Sequence, residues 1–399
     1  MSKNIVFCAD GTWNHPGDPE LDDSANPSNV FKLFLKLEGK DDPGTTRLAD
    51  EQEKTLSAPD GATIQVAKYL HGVGDSKNFL VRVLGGGFGE GLITRIVRGY
   101  TFVSRNYQPG DKIYFVGFSR GASIARALAG LISAKGLLPP DIASEDDKTE
   151  AYRQGSAVWY AWRRQALERT ERRLDRLQEL VRDLPHFLVE APSDADLVRA
   201  PIEAVAVWDT VGAYGIPEFD DHGAVVDSFR FADTKLSDNV NFGRHVISID
   251  ERRKNFTPTL WDHDSERIAQ VLFPGGHADV GGGYVVSESG LSDCALRWMT
   301  RELKRLGMKI GPPVIREEPN PCGVGHEEWT KPLWKFIGNQ PRKIPEAPGL
   351  ALSRAVLLRL NAEAGLLHTP YAPSNITSYI IEKMAAEGVE VIDLDEPEA

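Results

Sequence analysis

Short apolar runs alternate with amphipathic stretches along most of the chain. Ile5–Cys8 is an apolar run of strand length and stops at the polar turn Asp10-Gly11-Thr12. Residues 11–60 are rich in Asp, Pro, Asn and Gly, which predicts irregular chain with one helical stretch around Val30–Leu37. Residues 62–69 alternate as a strand does and end at His71-Gly72-Val73-Gly74. Gly85-Gly86-Gly87-Phe88-Gly89 then opens an amphipathic helix to about Asn106, and Pro109-Gly110-Asp111 is a turn. Ile113–Val116 reads as a second buried strand. Gly117-Phe118-Ser119-Arg120-Gly121 follows it, then a small-residue helix from Ala122 to about Ser133.

Residues 150–184 predict one long charged helix. Leu167, Leu174, Leu177, Val181 and Leu184 form its narrow apolar stripe, and the arginines from Arg163 to Arg182 are interleaved with Glu and Asp. That pattern describes a helical insertion, at about 145–195, packed on one face and solvated on the other. Strands return at Ala204–Trp208, His245–Ile249 and Ile268–Phe273, ending at Asp209, Asp250 and Pro274-Gly275-Gly276-His277. Residues 312–348 are Pro-rich and irregular, and helices at about Leu350–Ala364 and Ile376–Glu387 close the chain. The expected organisation is one unit over 1–310 carrying the insertion, with a short helical C-terminal extension over 311–399 packed on it. Strand and helix in repeated alternation predict the α/β class, a mostly parallel sheet with helices on both faces. In such sheets ligands bind beyond the carboxyl ends of the strands. Asp10, Ser119, Asp209, Asp250 and His277 each follow a predicted strand and would converge on that edge.

Composition narrows the class. The chain has 399 residues, 41% hydrophobic and 26% charged, enough for a sizeable core. Its net charge of −12 makes nucleic acid a poor partner. Cys8, Cys294 and Cys322 form no C-x-x-C pair and suggest buried thiols in a reducing compartment. The first apolar run is too short for a signal-peptide core, and no stretch approaches the ~20 apolar residues of a membrane span. Synthesis and residence in the cytoplasm are expected, with export by a signal-independent route left open.

The strongest chemical signal is G-x-S-x-G at Gly117–Gly121, set between a strand and a helix. A nucleophile elbow needs that context: the sharp turn presents the serine at a helix N-terminus, and the backbone N–H of Arg120 can then help hold an oxyanion. A serine alcohol is a weak nucleophile without a base. His277 is the preferred base, because it sits among glycines after the last strong strand; His71 and His245 compete with it. Residues alone leave the acid open. Asp209 ends one strand and Asp250 the next, with Asp279 a third candidate. Asp250 precedes Arg252 and Arg253 and would be spent on an ion pair or on holding its own loop, so Asp209 is favoured. The loop after the first strand could supply a second oxyanion donor from Gly11 or Thr12, braced by Asp10. Gly85–Gly91 lacks the Lys-Ser/Thr of a phosphate-binding loop. His277-x-Asp279 with Asp10 and Asp209 offers metal donors, but no spacing fixes a ligand set, and no metal or cofactor is expected.

Five ordered motifs carry a resemblance: Ala9-Asp10-Gly11-Thr12-Trp13-Asn14, Gly72-Val73-Gly74, Gly117-Phe118-Ser119-Arg120-Gly121-Ala122, Trp208-Asp209-Thr210-Val211-Gly212, and Pro274 through Tyr284. Over residues 4 to 300 the chain resembles the α/β-hydrolase family that includes the catalytic domain of type VI secretion lipase effectors, which are phospholipases. The resemblance implies a triad of Ser119, Asp209 and His277 and so selects Asp209 over Asp250. It also implies an acyl-ester substrate, with lipid or phospholipid leading, and peripheral contact with membrane lipid. It names no protein partner. The rival expectation is a non-catalytic member that keeps the elbow as scaffold and recruits a protein partner.

Overall fold

A computed structural model of the chain describes residues 2–11, 26–44, 51–72, 89–144, 148–168, 191–211, 218–219, 225–226, 235–254, 256–262, 266–331, 339–344, 350–362, 367 and 370–376. Its strands are β1 (Asn4–Ala9), β2 (Lys40–Asp41), β3 (Glu51–Ser57), β4 (Thr63–Leu70), β5 (Lys112–Phe118), β6 (Ile202–Trp208), β7 (Glu218–Phe219), β8 (Val225–Val226), β9 (Val240–Ser248), β10 (Ile268–Phe273) and β11 (Leu350–Leu352). Its helices are α1 (Asn29–Lys36), α2 (Gly89–Asn106), α3 (Arg120–Ala134), α4 (Lys148–Glu168), α5 (His277–Gly281), α6 (Gly290–Arg305) and α7 (Arg354–Leu360).

Nine strands form one sheet in the order β11-β10-β9-β6-β5-β1-β4-β3-β2, and β7 pairs with β8 in a small ribbon. From β11 to β4 every pairing is parallel; the β4–β3 and β3–β2 pairings are antiparallel. The fold is therefore α/β, with the mostly parallel sheet of a hydrolase-like architecture. The chain leaves β1 for β4 on one side and returns to β5 on the other, so the strand order reverses between β1 and β5. Ligand sites of open α/β sheets form at such a reversal, beyond the carboxyl ends.

Side-chain alternation explains why both faces are covered. Ile5, Phe7 and Ala9 of β1, with Ile113 and Phe115 of β5, point into a core shared with α2, α3 and α4. Val6 and Cys8, with Tyr114 and Val116, point the other way, into a core shared with α1 and α6. Strands buried on two faces read as continuous apolar runs, which is why β1, β5 and β10 are visible in the sequence. Helix α1 starts at Ser28, whose side chain accepts from the Phe31 N–H, and buries Val30, Phe31, Leu33 and Phe34 at helical spacing.

Three local expectations change. The stretch expected to be irregular before residue 60 contains β3. Its polar sequence, Glu51-Gln52-Glu53-Lys54-Thr55-Leu56-Ser57, pairs beside β4, and Lys68 of β4 is held by Glu51 and Glu53. A strand near the sheet edge needs few apolar residues, so alternation there is hidden. The helix expected from Leu350 begins with a strand instead: Leu350–Leu352 extends the main sheet beside β10, and α7 starts only after Ser353. The sixteen-residue helix α6 was not among the predicted elements. Of the charged insertion, α4 covers residues 148–168, and Trp159 packs with Trp162 at 5.4 Å. The remainder of the predicted 150–184 helix, Gly85–Phe88, and the closing helix at Ile376–Glu387 beyond Ile376 lie outside the described residues. Among the described residues no helix is long and apolar enough to cross a membrane.

Candidate active site

The turn after β5 is built by close backbone approach. A side chain on Gly117 would lie 2.4 Å from the Gly121 carbonyl oxygen, and one on Gly121 would lie 2.0 Å from that of Ala9. Only glycine permits this crossing of strand, turn and helix. Ser119 stands at its apex with φ 56° and ψ −120°. It is fixed on both sides: its N–H donates to the Trp208 carbonyl at 3.1 Å, and its carbonyl accepts from Ala122 at 3.1 Å and Ser123 at 3.3 Å. Among the described residues, Ser119 and Asp209 (φ 40°) are the two non-glycine positions with positive φ. Such conformations cost on the order of 1–3 kcal/mol each and persist where the surrounding structure enforces them.

Asp209 follows β6, one strand from Ser119, and is fully buried. Its Oδ2 lies 2.5 Å from His277 Nδ1. Its Oδ1 accepts from the Ser248 N–H at 3.0 Å. A guanidinium, Arg342, donates to both oxygens, Nη1 to Oδ1 at 2.7 Å and Nη2 to Oδ2 at 2.8 Å. Burial opposes the carboxylate charge, but Arg342 and His277 together outweigh it and hold Asp209 well below the usual carboxylate range. His277 begins α5, with its N–H on Glu251 Oε2 at 3.2 Å. Its ring lies between Phe118 at 4.7 Å and Phe256 at 5.0 Å. Burial pushes the imidazole below its ordinary value, and Asp209 pulls the other way without restoring it. A neutral imidazole with its Nδ1 on a carboxylate has Nε2 available as a proton acceptor. Phe118 precedes Ser119 and packs on the His277 ring. Gly281 makes room for that contact, since a side chain there would meet the Phe118 ring at 1.9 Å.

The other sequence candidates take different places. Asp10, expected as a brace, accepts from Ser28 Oγ at 2.5 Å and Tyr69 Oη at 2.6 Å. Gly11 lies over the serine, where a Cβ would be 3.2 Å from that of Ser119. Its N–H, expected to face an oxyanion, instead donates to Asp10 Oδ1 at 2.6 Å, because the braced carboxylate turns back on its own loop. Thr12 lies outside the described residues. Arg120 is the first residue of α3, where backbone N–H groups point out of the helix. Of the two roles expected for Asp250, pairing with Arg252 or Arg253 is not made, and holding its own loop is. Glu251 accepts from Arg253 Nε at 2.8 Å and Nη2 at 2.7 Å, while Asp250 accepts from the Gly275 N–H at 2.6 Å and Tyr371 Oη at 2.9 Å. Asp279 turns away to His326 Nδ1 at 2.7 Å. His245 is buried, accepts from the Thr210 N–H at 3.1 Å, and is pushed down to about 3 by burial and by Arg126. His71 packs edge-on against Tyr69 at 5.2 Å. Among the described residues, no three His, Cys, Asp or Glu side chains are grouped to hold a metal ion. Arg342 and Glu251 were missed. The first lies in an irregular Pro-rich stretch, and the second sits beside two arginines that were assigned to its neighbour.

A positive-φ serine between a central strand and a helix, with a His–Asp pair at the ends of the following strands, defines a protein of the α/β-hydrolase type. The chain belongs to the family described as type VI secretion system phospholipase effector Tle1-like, catalytic domain, which it matches over residues 3–302. It is 28% identical over 254 residues to the uncharacterized protein YEL023C of Saccharomyces cerevisiae, covering 64% of this chain and 32% of that protein. An uncharacterized protein of Pseudomonas aeruginosa is 19% identical, with a TM-score of 0.43 over 78% of this chain and 46% of that one. The Tle1 effector bound to the VgrG spike of a type VI secretion system is 15% identical, with a TM-score of 0.38 over 73% of this chain and 53% of that one. The chain thus spans about a third of the curated relative and about half of each solved structure.

Proposed function

We propose that the protein is a serine ester hydrolase that cleaves an acyl ester of a lipid or phospholipid through Ser119, His277 and Asp209. The observation that carries the reading is the buried His277–Asp209 hydrogen bond at the sheet edge where Ser119 is held at φ 56°. His277 Nε2 takes the Ser119 Oγ proton as Oγ attacks the ester carbonyl. The developing oxyanion is held by the N–H of Arg120 at the start of α3, where the helix field favours negative charge. The C–O bond to the leaving alcohol breaks, and that alcohol takes the proton from His277. The resulting acyl-serine is hydrolysed by a water that His277 deprotonates, releasing the carboxylic acid and regenerating the serine. Asp209 keeps the Nδ1 proton in place and offsets the imidazolium charge in both half-reactions. Membership of a phospholipase effector family supports the lipid substrate, peripheral contact with a lipid surface and secretion.

The test is labelling with a fluorophosphonate probe, beside hydrolysis of a short p-nitrophenyl ester and a panel of phospholipid esters. Labelling of the wild type and its loss in Ser119→Ala is expected, with a rate loss on the order of 10⁴ or more and an unchanged thermal melt. A well-folded Ser119→Ala variant that keeps most of its activity would remove Ser119 from this role. A folded wild type that neither labels nor hydrolyses any ester would favour a binding protein on the same scaffold.

A further inference from the structure

Arg342 stands outside the 3–302 span that defines the family, yet it reaches the buried acid of the site. The segment bearing it is tied across the carboxyl edge of the sheet. The Gln340 N–H donates to the Arg252 carbonyl at 2.9 Å, and Asn339 bridges to Arg253. Arg342 is 6% exposed, so the desolvation of its guanidinium must be repaid locally. Beyond the two bonds to Asp209, Nη1 donates to the Ser248 carbonyl at 2.8 Å and its Oγ at 2.9 Å, and Nη2 to the Phe256 carbonyl at 2.5 Å. Phe256 also packs against His277. One planar fork thus joins the end of β6, the end of β9 and the wall beside the imidazole.

We infer that Arg342 is a positioning residue for the Ser119–His277–Asp209 site: its bidentate fork fixes the Asp209 carboxylate toward His277 Nδ1 and shares its charge. The inference rests on the serine-hydrolase reading above. Two consequences follow from the geometry. The fork sets the rotation of a carboxylate whose backbone is already held at φ 40°, so Oδ2 meets the imidazole in one orientation. The guanidinium also competes with His277 for the same negative charge. An imidazole whose carboxylate partner is shared becomes protonated less readily, and the base stays neutral to lower pH. His277 faces Asp209, with Glu251 and Arg253 nearby; Asp209 faces His277 and Arg342; His245, one residue away at Thr210, is buried and neutral.

The two consequences separate by substitution. Arg342→Lys keeps the charge but cannot form the fork. Arg342→Met removes charge and fork while keeping a similar length. Wild type and both variants are assayed for ester hydrolysis across pH, and the imidazole of His277 is titrated by NMR, assigned by its loss in His277→Ala. Arg342→Lys is expected to lower kcat about 10-fold with KM within about two-fold and the acid limb of the pH profile unmoved. Arg342→Met is expected to lose more, and to raise the acid limb and the His277 titration together by about half a unit or more. Added guanidinium ion should restore part of the kcat lost in Arg342→Ala.

Wild-type kcat in Arg342→Lys overturns the fork. An unmoved His277 titration in folded Arg342→Met overturns the charge sharing. If Arg342→Met does not fold, Arg342→Ala with and without guanidinium reads the same titration. A kcat that guanidinium leaves unchanged in folded Arg342→Ala also counts against the proposal. The NMR titration needs no turnover: a His277 shift without any ester hydrolysis upholds the Arg342–Asp209–His277 coupling and rejects the hydrolase reading instead.

Discussion

Asp209 and Asp250 end neighbouring strands, β6 and β9, and both are buried or nearly so, yet their surroundings drive them in opposite directions. Asp209 receives a guanidinium, an imidazole and a backbone N–H, and its charged form is held far below the ordinary carboxylate range. Asp250 receives a backbone N–H and a phenol hydroxyl, and burial raises it from its ordinary value despite them. Two identical side chains thus divide the work at one edge. One is kept as an anion beside an imidazole, and the other closes a loop by tying Gly275 to Tyr371. The difference lies in the partners each strand end is offered. A carboxylate can orient and offset a histidine only if its own charge is stabilised elsewhere.

The sharpest way to break this comparison is to neutralise each acid in turn. Asp209→Asn should cut kcat by up to about 10⁴, because the imidazole loses its tautomer. Asp250→Asn should change kcat by less than about 10-fold. Esterase assays at a temperature below both melting transitions check this, and a collapse confined to Asp250→Asn would move the acid one strand later.

Stability should separate the pair with opposite sign against pH. The folded-state value of Asp209 is depressed, so its contribution is present above the unfolded value of about 3.9 and lost as pH falls. The deficit of Asp209→Asn, on the order of 3–5 kcal/mol for breaking a buried pair, should therefore shrink toward acid pH. Asp250 is raised, so the parent loses stability as pH climbs from about 3.9 toward the folded value. The melting temperature of Asp250→Asn relative to the parent should accordingly improve over that window. Parallel slopes for the two variants in thermal melts between pH 3 and pH 7 would show that the two environments do not differ.

The smallest effect is expected at the tyrosine. Tyr371→Phe removes a hydrogen bond to a charge-bearing acid and should cost about 1–3 kcal/mol in urea unfolding, with kcat unchanged. A loss of activity without loss of stability would place the Asp250 loop closer to the chemistry than its contacts suggest.

How much of this was legible follows from the range of the signals. The elbow was legible because its demands are local: glycines at 117 and 121 and a serine between a strand and a helix all fall within a few residues. Strands buried on both faces were legible as apolar runs. The polar strand β3 was not, because its own Glu51 and Glu53 are satisfied by Lys68 of the neighbouring strand β4 and not by burial in a core. Asp250 was assigned the arginines two and three residues away, but Arg253 turns to Glu251. Adjacent residues diverge in direction, so nearness in sequence did not choose the partner. Arg342 left no local trace at all. Nothing in Gln340-Pro341-Arg342-Lys343 states that a buried acid, far back in the chain, requires a guanidinium.

That separation has a consequence for how the protein is made. Asp209 and Arg342 are 133 residues apart. At translation rates of about 5–20 residues per second, the acid leaves the ribosome on the order of ten seconds before its guanidinium exists. During that interval the nascent chain already holds Ser119 and Asp209, and later His277, but lacks the cation that stabilises the buried carboxylate. Burying Asp209 early would strand its charge, so the end of β6 is favoured to remain hydrated until residue 342 arrives. The last part of the site to be synthesised is thus the part that lets its acid leave water.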